Sequence, residues 1–429
     1  MDRGRKSARR DSLLRWGRRS MGIADAGVSS LGNLATNVIA ARSLLLGEFG
    51  TFAITMLIGI IVVGVSRSLC GDPLTLLHSA DAPDEQRRAF ARVVGAAMLG
   101  ALAAFPLLVA VVTGVVVASR GQLMTGLHLG MALAVVAPLL VGQELLRAIA
   151  YTSGRTTTAF CNSLTWTVLL VLGLLVLPVR TAPTLILLWG LTAGAGMMVG
   201  LAMNKLRPVP TSPRRWFRGS SHISKKLVLD FSLTQVTAEF SVVLISMIAG
   251  AAEAGLIRKA QIPLTPVIVV TNGIIAMAQP ALVRRVAAGG AQQLRPMAYK
   301  LGLAAGACSV ALGALVTLLP SRLMREVVGE NWADARPLVP ILAVYLGLGA
   351  LGGCQGIALR ALDRIGGQLK LRFLLTPVSL TLVFLCAMGG AQWAALGLVA
   401  SLICVDVAWA WLLHKPIAPR RASPEEGSS

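Results

Sequence analysis

The sequence predicts an all-α polytopic membrane protein of twelve transmembrane helices in two parallel six-helix repeats, and three observations carry that reading. First, 55% of the 429 residues are hydrophobic and only 14% are charged, where soluble domains carry roughly a quarter. Second, apolar stretches of about 20 residues, the length that crosses a bilayer, recur along the whole chain. Third, Asp25 and Asp230 each stand 23 residues before a Glu and 25 before a Gly, so DAGVSSLGNLATNVIAARSLLLGEFG returns as DFSLTQVTAEFSVVLISMIAGAAEAG.

In the first half the spans fall near 21–41, 49–66, 93–118, 125–146, 159–178 and 183–203; in the second, near 227–249, 260–282, 301–319, 338–359, 373–389 and 393–413. The correspondence continues past the opening pair. Arg147-Ala148 with Gly154 and Phe160 matches Arg360-Ala361 with Gly367 and Phe373 at one constant offset, and Pro73 and Pro280 end equivalent spans. Six spans per half keep both copies in one orientation, so the repeats are parallel about an axis along the membrane normal. Small-residue steps such as Gly190 with Gly194 and Gly352 with Gly356 mark places for close helix approach.

Twelve spans put both termini on one side. Of the 40 Lys and Arg, 32 fall in the tails and loops of that side, which the positive-inside rule identifies as cytoplasmic. That distribution also explains the net charge of +21 as a topology signal, because the cations alternate with apolar spans and form no nucleic-acid-binding face. The domains expected are a basic cytoplasmic tail (1–20), an N-terminal lobe (21–203), a Pro-, Ser- and Arg-containing cytoplasmic linker (204–226), a C-terminal lobe (227–413) and a second cytoplasmic tail (414–429). Span one holds Asp25, Ser29, Asn33 and Thr36, too polar for a signal peptide, so the N-terminal segment is expected to be retained. The six Cys lie in or beside spans without metal-ligand spacing and read as packing residues. Without a GxxxxGK[ST] loop, ATP hydrolysis is not expected; neither is a metal or another cofactor.

ADAGVSSLGNLATNVIAARSLLLGEFGTFAI, with its Ala41-Arg42 step and Glu48-Phe49-Gly50, resembles the opening of polysaccharide flippases of the multidrug, oligosaccharidyl-lipid and polysaccharide exporter superfamily. VVGENWADARPLVPILA is similar to the loop that leads into the tenth span of the same family. The resemblance covers essentially the whole chain. It implies a carrier that moves lipid-linked sugars, lipid II or drugs out of the cytoplasm through a cavity that, in the sugar flippases, is cationic.

Several residues are candidates for that chemistry. On a helix, Asp25, Ser29 and Thr36 share a face with Asn33 alongside, and Asp230, Thr234 and Ser241 repeat the offsets. A polar stripe repeated in both halves reads as a face lining a cavity between the lobes, or else as hydrogen bonding inside each lobe. Glu239 points away from Asp230. Glu144 and Arg147 stand i, i+3 and are placed to pair. Asp406 lies inside the last span with no partner nearby in sequence, so it needs one from another helix or a proton, which makes it a candidate for ion coupling with Asp25, Asp230, Glu144 and Glu239. For a diphosphate headgroup the candidates are Arg42, Arg67, Arg147, Arg258 and Lys259, with Asn33, Asn272 and Gln279 for sugar hydrogen bonds.

The function expected is a secondary transporter, not an enzyme, that flips a polyprenyl-diphosphate-linked saccharide to the outer leaflet of the cytoplasmic membrane for cell-envelope polysaccharide synthesis. Its partners would be that lipid-linked saccharide, membrane lipids, and glycosyltransferases or a polymerase of the same synthesis, with no nucleic acid. The alternatives are a cation-coupled multidrug exporter on the same fold, for which acidic residues should line the cavity, and a non-transporting scaffold. A membrane glycosyltransferase needs a sizeable catalytic loop, and the loop after the first span is too short to provide one.

Overall fold

The computed structural model describes residues 21–415, apart from residues 23, 41–42, 45, 177–180, 288–290 and 329–331. Arg42, residues 1–20 and residues 416–429 therefore lie outside the described residues, as do the side chains of Glu239 and Asn272. The described chain is helical, with no strand.

In the first half, α1 (24–40) is followed by α2 (Leu46–Ser66), which runs through a π turn (Arg67–Gly71) into α3 (Asp72–His78). Then come α4 (Pro83–Ala103), α5 (Phe105–Arg120), α6 (Leu123–Thr152), α7 (Thr156–Val176) and α8 (Ala182–Asn204). The second half opens with α9 (Pro213–Ile248); α10 (Ala251–Gln261) continues through a 3-10 turn (Ile262–Leu264) into α11 (Thr265–Ala287). After α12 (Ala291–Leu318), the short α13 (Ser321–Val328) and α14 (Trp332–Ala335) precede α15 (Leu338–Ala361), α16 (Ile365–Ala387) and α17 (Ala391–His414). Nine described helical segments are long and apolar enough to cross a membrane, ten if the bent pair α4–α5 counts as one. The helices that open the halves, α1 and α9, complete the twelve.

The differences from the expected spans have local causes. The third span bends by 49° between α4 and α5, where Pro106 enters the first turn of α5 and withholds the N–H that a continuous helix needs. Helices also outrun their apolar stretches, because a polar sequence ends membrane crossing without ending a helix. Thus α9 starts at Pro213, inside the segment read as a linker, with Pro at a position where its missing N–H costs nothing.

Each half has its own core. In the first, Leu133, Trp166, Leu170 and Trp189 are buried together; in the second, Trp332, Val339, Leu342 and Val383. Glycine permits the closest approaches: a Cβ on Gly190 would meet Val136 of α6 at 2.2 Å, and one on Gly352 would meet Asp406 Oδ1 of α17 at 2.5 Å.

Candidate functional site

Pro73 shapes the entrance to the site. It has no N–H to give the Leu69 carbonyl, its partner in a regular helix, and the backbone there widens into the π turn. The Leu69 oxygen is taken instead by donors from the second half, Trp216 Nε1 at 3.4 Å and Ser224 Oγ at 3.1 Å, both on α9. Other links between the halves lie close by: Arg284 Nη1 donates to the Thr152 carbonyl at 2.8 Å, and Gln279 Nε2 donates to Asp72 Oδ1 at 3.3 Å. Asp72 and Gln279 directly precede the matched prolines Pro73 and Pro280, so equivalent positions of the repeat meet there. All these contacts sit at the end of the bundle that carries the basic loops.

Above them lies a cavity of about 860 Å³ lined by both halves. It extends from this closed end up to Trp189 and Tyr345, each the eighth residue of a helix that starts at the opposite end. A smaller cavity of about 280 Å³ adjoins it between α1, α6 and α11.

At the closed end runs a chain of eight side chains with strictly alternating charge. Asp25 Oδ2 accepts from Arg147 Nη2 at 2.8 Å, and Arg147 Nη1 donates to Glu144 Oε2 at 2.6 Å. Glu144 Oε1 lies 3.6 Å from Arg67 Nη1, whose Nε is 3.5 Å from Asp72 Oδ1. Asp72 Oδ2 is 3.8 Å from Arg360 Nη1; Arg360 Nη2 donates to Asp230 Oδ2 at 2.8 Å; and Arg372 Nε closes the series 3.0 Å from Asp230 Oδ1. Asp25 is fully buried and Asp230 is 2% exposed, so these pairings offset a desolvation cost of several kcal/mol per ion. Tyr151 also donates to Asp25 Oδ2, at 2.5 Å, and Gln368 to Asp230 Oδ2, at 3.3 Å.

The chain is built on the repeat. Asp25 with Arg147 and Asp230 with Arg360 are the same pair in the two halves, each at 2.8 Å. At the offset that aligns Arg147 with Arg360, however, Glu144 corresponds to Ile357 and Arg372 to Ala159. Those two departures make the halves electrostatically unlike.

The repeated polar stripe divides between the two readings open to it. Ser29, Asn33, Asp230 and Thr234 line the cavity, while Asp25, Thr36 and Ser241 are buried, Thr36 and Ser241 donating to carbonyls of their own helices. Asn33 also accepts from Trp189 Nε1 at 3.2 Å. Arg67, Arg147, Glu144 and Gln279 line the cavity. Arg258 and Lys259 sit on α10 away from the described lining. Asp406 is 6% exposed and lines the cavity with neither oxygen hydrogen-bonded. Among the described residues no group of three or more His, Cys, Asp or Glu is placed to hold a metal.

Asp72, Arg360 and Arg372 were not among the sequence candidates. Arg360 was legible as the repeat partner of Arg147. Arg372 lies just before the apolar stretch expected at 373–389 and so reads in the sequence as a loop residue, whereas α16 starts eight residues before that stretch.

No family model and no curated protein matches the chain. Solved structures do. An outward-facing multidrug resistance MATE family transporter of the MOP superfamily superposes with a TM-score of 0.72 at 13% identity, over 92% of this chain and 93% of that one. A eukaryotic MATE transporter gives 0.72 at 16% over 92% of each chain, and a MATE in complex with MaD3S gives 0.72 at 14% over 92% and 94%. The chain is a multi-pass membrane protein with a MATE-like fold.

Proposed function

We propose that this protein is a secondary transporter that flips a polyprenyl-diphosphate-linked saccharide from the inner to the outer leaflet of the cytoplasmic membrane, for cell-envelope polysaccharide synthesis. The observation that supports this reading is the cavity of about 860 Å³ between the halves, with four arginines at its closed end beneath walls containing Trp166, Trp189 and Phe231. Arginine matches phosphate with a planar fork of donors, and aromatic faces suit the apolar sides of sugar rings and prenyl chains. The MATE-like fold favours transport over catalysis.

In this reading the basic loops and both termini are cytoplasmic, so the end of the cavity at which the ion chain links the halves faces the cytoplasm. The lobes, 21–203 and 227–413, rock about the connection at 204–226, and breaking the ion chain between Asp72 and Arg360 opens that end. The cavity lining is balanced in charge, its four arginines matched by Asp72, Glu144, Asp230 and Asp406. Attraction for an anion is therefore local, and arises where carboxylates leave arginines on opening. The membrane potential supplies drive: about two negative charges leaving an inside-negative cell gain on the order of 4–5 kcal/mol per 100 mV.

The test is depletion of the protein in its host, with a membrane-impermeant probe and mass spectrometry to read the leaflet of prenyl-diphosphate-linked saccharides. Build-up on the cytoplasmic leaflet that wild-type protein reverses is the expected result; no build-up of any such lipid overturns the reading. A second reading, cation-coupled drug export, is favoured by Asp406, a buried carboxyl in the cavity wall with no ion-pair partner among the described residues.

A further inference from the structure

We infer that the second half holds a phosphate- or diphosphate-binding site between Arg360 and Arg372, occupied by Asp72 of the first half when the halves meet and by an anionic ligand when they part. The inference rests on the anionic-cargo reading and specifies which part of the cavity takes the anion.

The charges of the two halves differ once the chain is cut at its inter-half link. The first half keeps Asp25, Asp72 and Glu144 against Arg67 and Arg147. The second keeps Asp230 alone against Arg360 and Arg372. Arg147 gives both terminal nitrogens to two carboxylates of its own half at 2.8 and 2.6 Å, whereas within their half Arg360 and Arg372 share one. Asp406 of the same half also lines the cavity but pairs with neither arginine, so opening the halves leaves Arg360 and Arg372 sharing one carboxylate in a partly desolvated wall, a place that favours an anion.

The donors are already oriented. Arg372 meets Asp230 only through Nε, without hydrogen-bond alignment, and stacks over the Trp409 ring at 4.8 Å. Its two terminal nitrogens make no hydrogen bond among the described residues and remain available to a ligand. Arg360 Nε is also without a partner. Asp72, at 3.8 Å from Arg360, is an ion-pair neighbour beyond hydrogen-bond reach and therefore the most replaceable member of the network. Asp406, one turn before Trp409, pairs with neither arginine.

Because the ligand and Asp72 take the same arginine, anion binding and closure at this end exclude each other. Cargo entering from the basic-loop side thus holds the cavity open until it moves past Arg360, after which Asp72 returns.

Full-length protein in nanodiscs is titrated with inorganic pyrophosphate and with farnesyl diphosphate by calorimetry, alongside thermal unfolding of every variant. Arg360→Gln and Arg372→Gln should each weaken binding about tenfold or more, the order expected for one charge-assisted hydrogen bond. Asp72→Asn and Asp230→Asn, which remove competing carboxylates, should tighten it. If the arginines only hold Asp230 in place, Asp230→Asn does not tighten binding, and the inference fails. Binding of both probes assigns the anion alone as sufficient; binding of farnesyl diphosphate only assigns the lipid headgroup. Loss of binding in Arg67→Gln or Arg147→Gln but not in Arg372→Gln overturns this site and leaves the anionic-cargo reading standing. Binding of neither probe overturns both.

Discussion

Arg360 Nη1 of the second half lies 3.8 Å from Asp72 Oδ2 of the first, and among the described residues this is the ion pair that joins the two halves. Everything on either side of it belongs to one half. The pair is partly exposed, so its net worth is small, on the order of 1 kcal/mol. A contact of that strength suits a link that has to break in every transport cycle.

Asp72→Asn should therefore shift the population away from the conformation closed at the basic-loop end, by roughly fivefold for about 1 kcal/mol. Spin labels at the exposed Arg88 and Arg285, in a cysteine-free background, would report this as a larger share of long distances. An unchanged distribution would mean that the link does not contribute to closure.

Pro73→Ala restores the N–H that the Leu69 carbonyl lacks within its own helix. That donor competes with Trp216 and Ser224 of α9, which now bond the same oxygen. Faster hydrogen exchange at the start of α9 and a shift in the same direction as Asp72→Asn are expected, read by exchange mass spectrometry.

Within the first half the Asp25–Arg147 pair should behave as a buried one. Arg147→Gln leaves the fully buried charge of Asp25 with Tyr151 as its remaining donor and should cost about 3–5 kcal/mol. Combining Arg147→Gln with Asp25→Asn, which removes the charge rather than orphaning it, should recover much of the loss. Thermal unfolding of the four corners of that cycle in detergent gives the coupling.

Gly190→Leu places a side chain where even a Cβ would be 2.2 Å from Val136. Overpacking of this kind should destabilise by about 1–3 kcal/mol or more, with the unfolding midpoint lowered and the ion chain untouched.

The sequence made the architecture readable because lipid imposes long apolar spans and because the repeat is written into Asp25, Asp230, Arg147 and Arg360. The pairing itself was not readable. Asp25 and Arg147 are 122 positions apart, and Asp230 and Arg360 are 130 apart, so only the tertiary packing, with α1 against α7 and α9 against α16, brings them together. Glu144 with Arg147 was legible because i, i+3 spacing is local. Arg258 and Lys259 looked like headgroup ligands from their place at a span entrance, yet α10 carries them away from the described cavity lining. The π turn is not legible in the sequence, where Pro73 reads as the end of a span, while the helix continues past it to His78.

As a flippase, the protein passes a lipid-linked diphosphate through this cavity. The direct measurement is flipping in proteoliposomes, with a prenyl-diphosphate-linked oligosaccharide in both leaflets and an impermeant glycosidase outside. With the wild-type protein the sugar should become fully accessible to the enzyme, with Arg372→Gln it should do so about tenfold or more slowly, and in protein-free vesicles about half should stay protected. If the wild-type vesicles keep the same protected half, yet take up or expel a cationic drug when an ion gradient is applied, the protein is an exporter of the other kind.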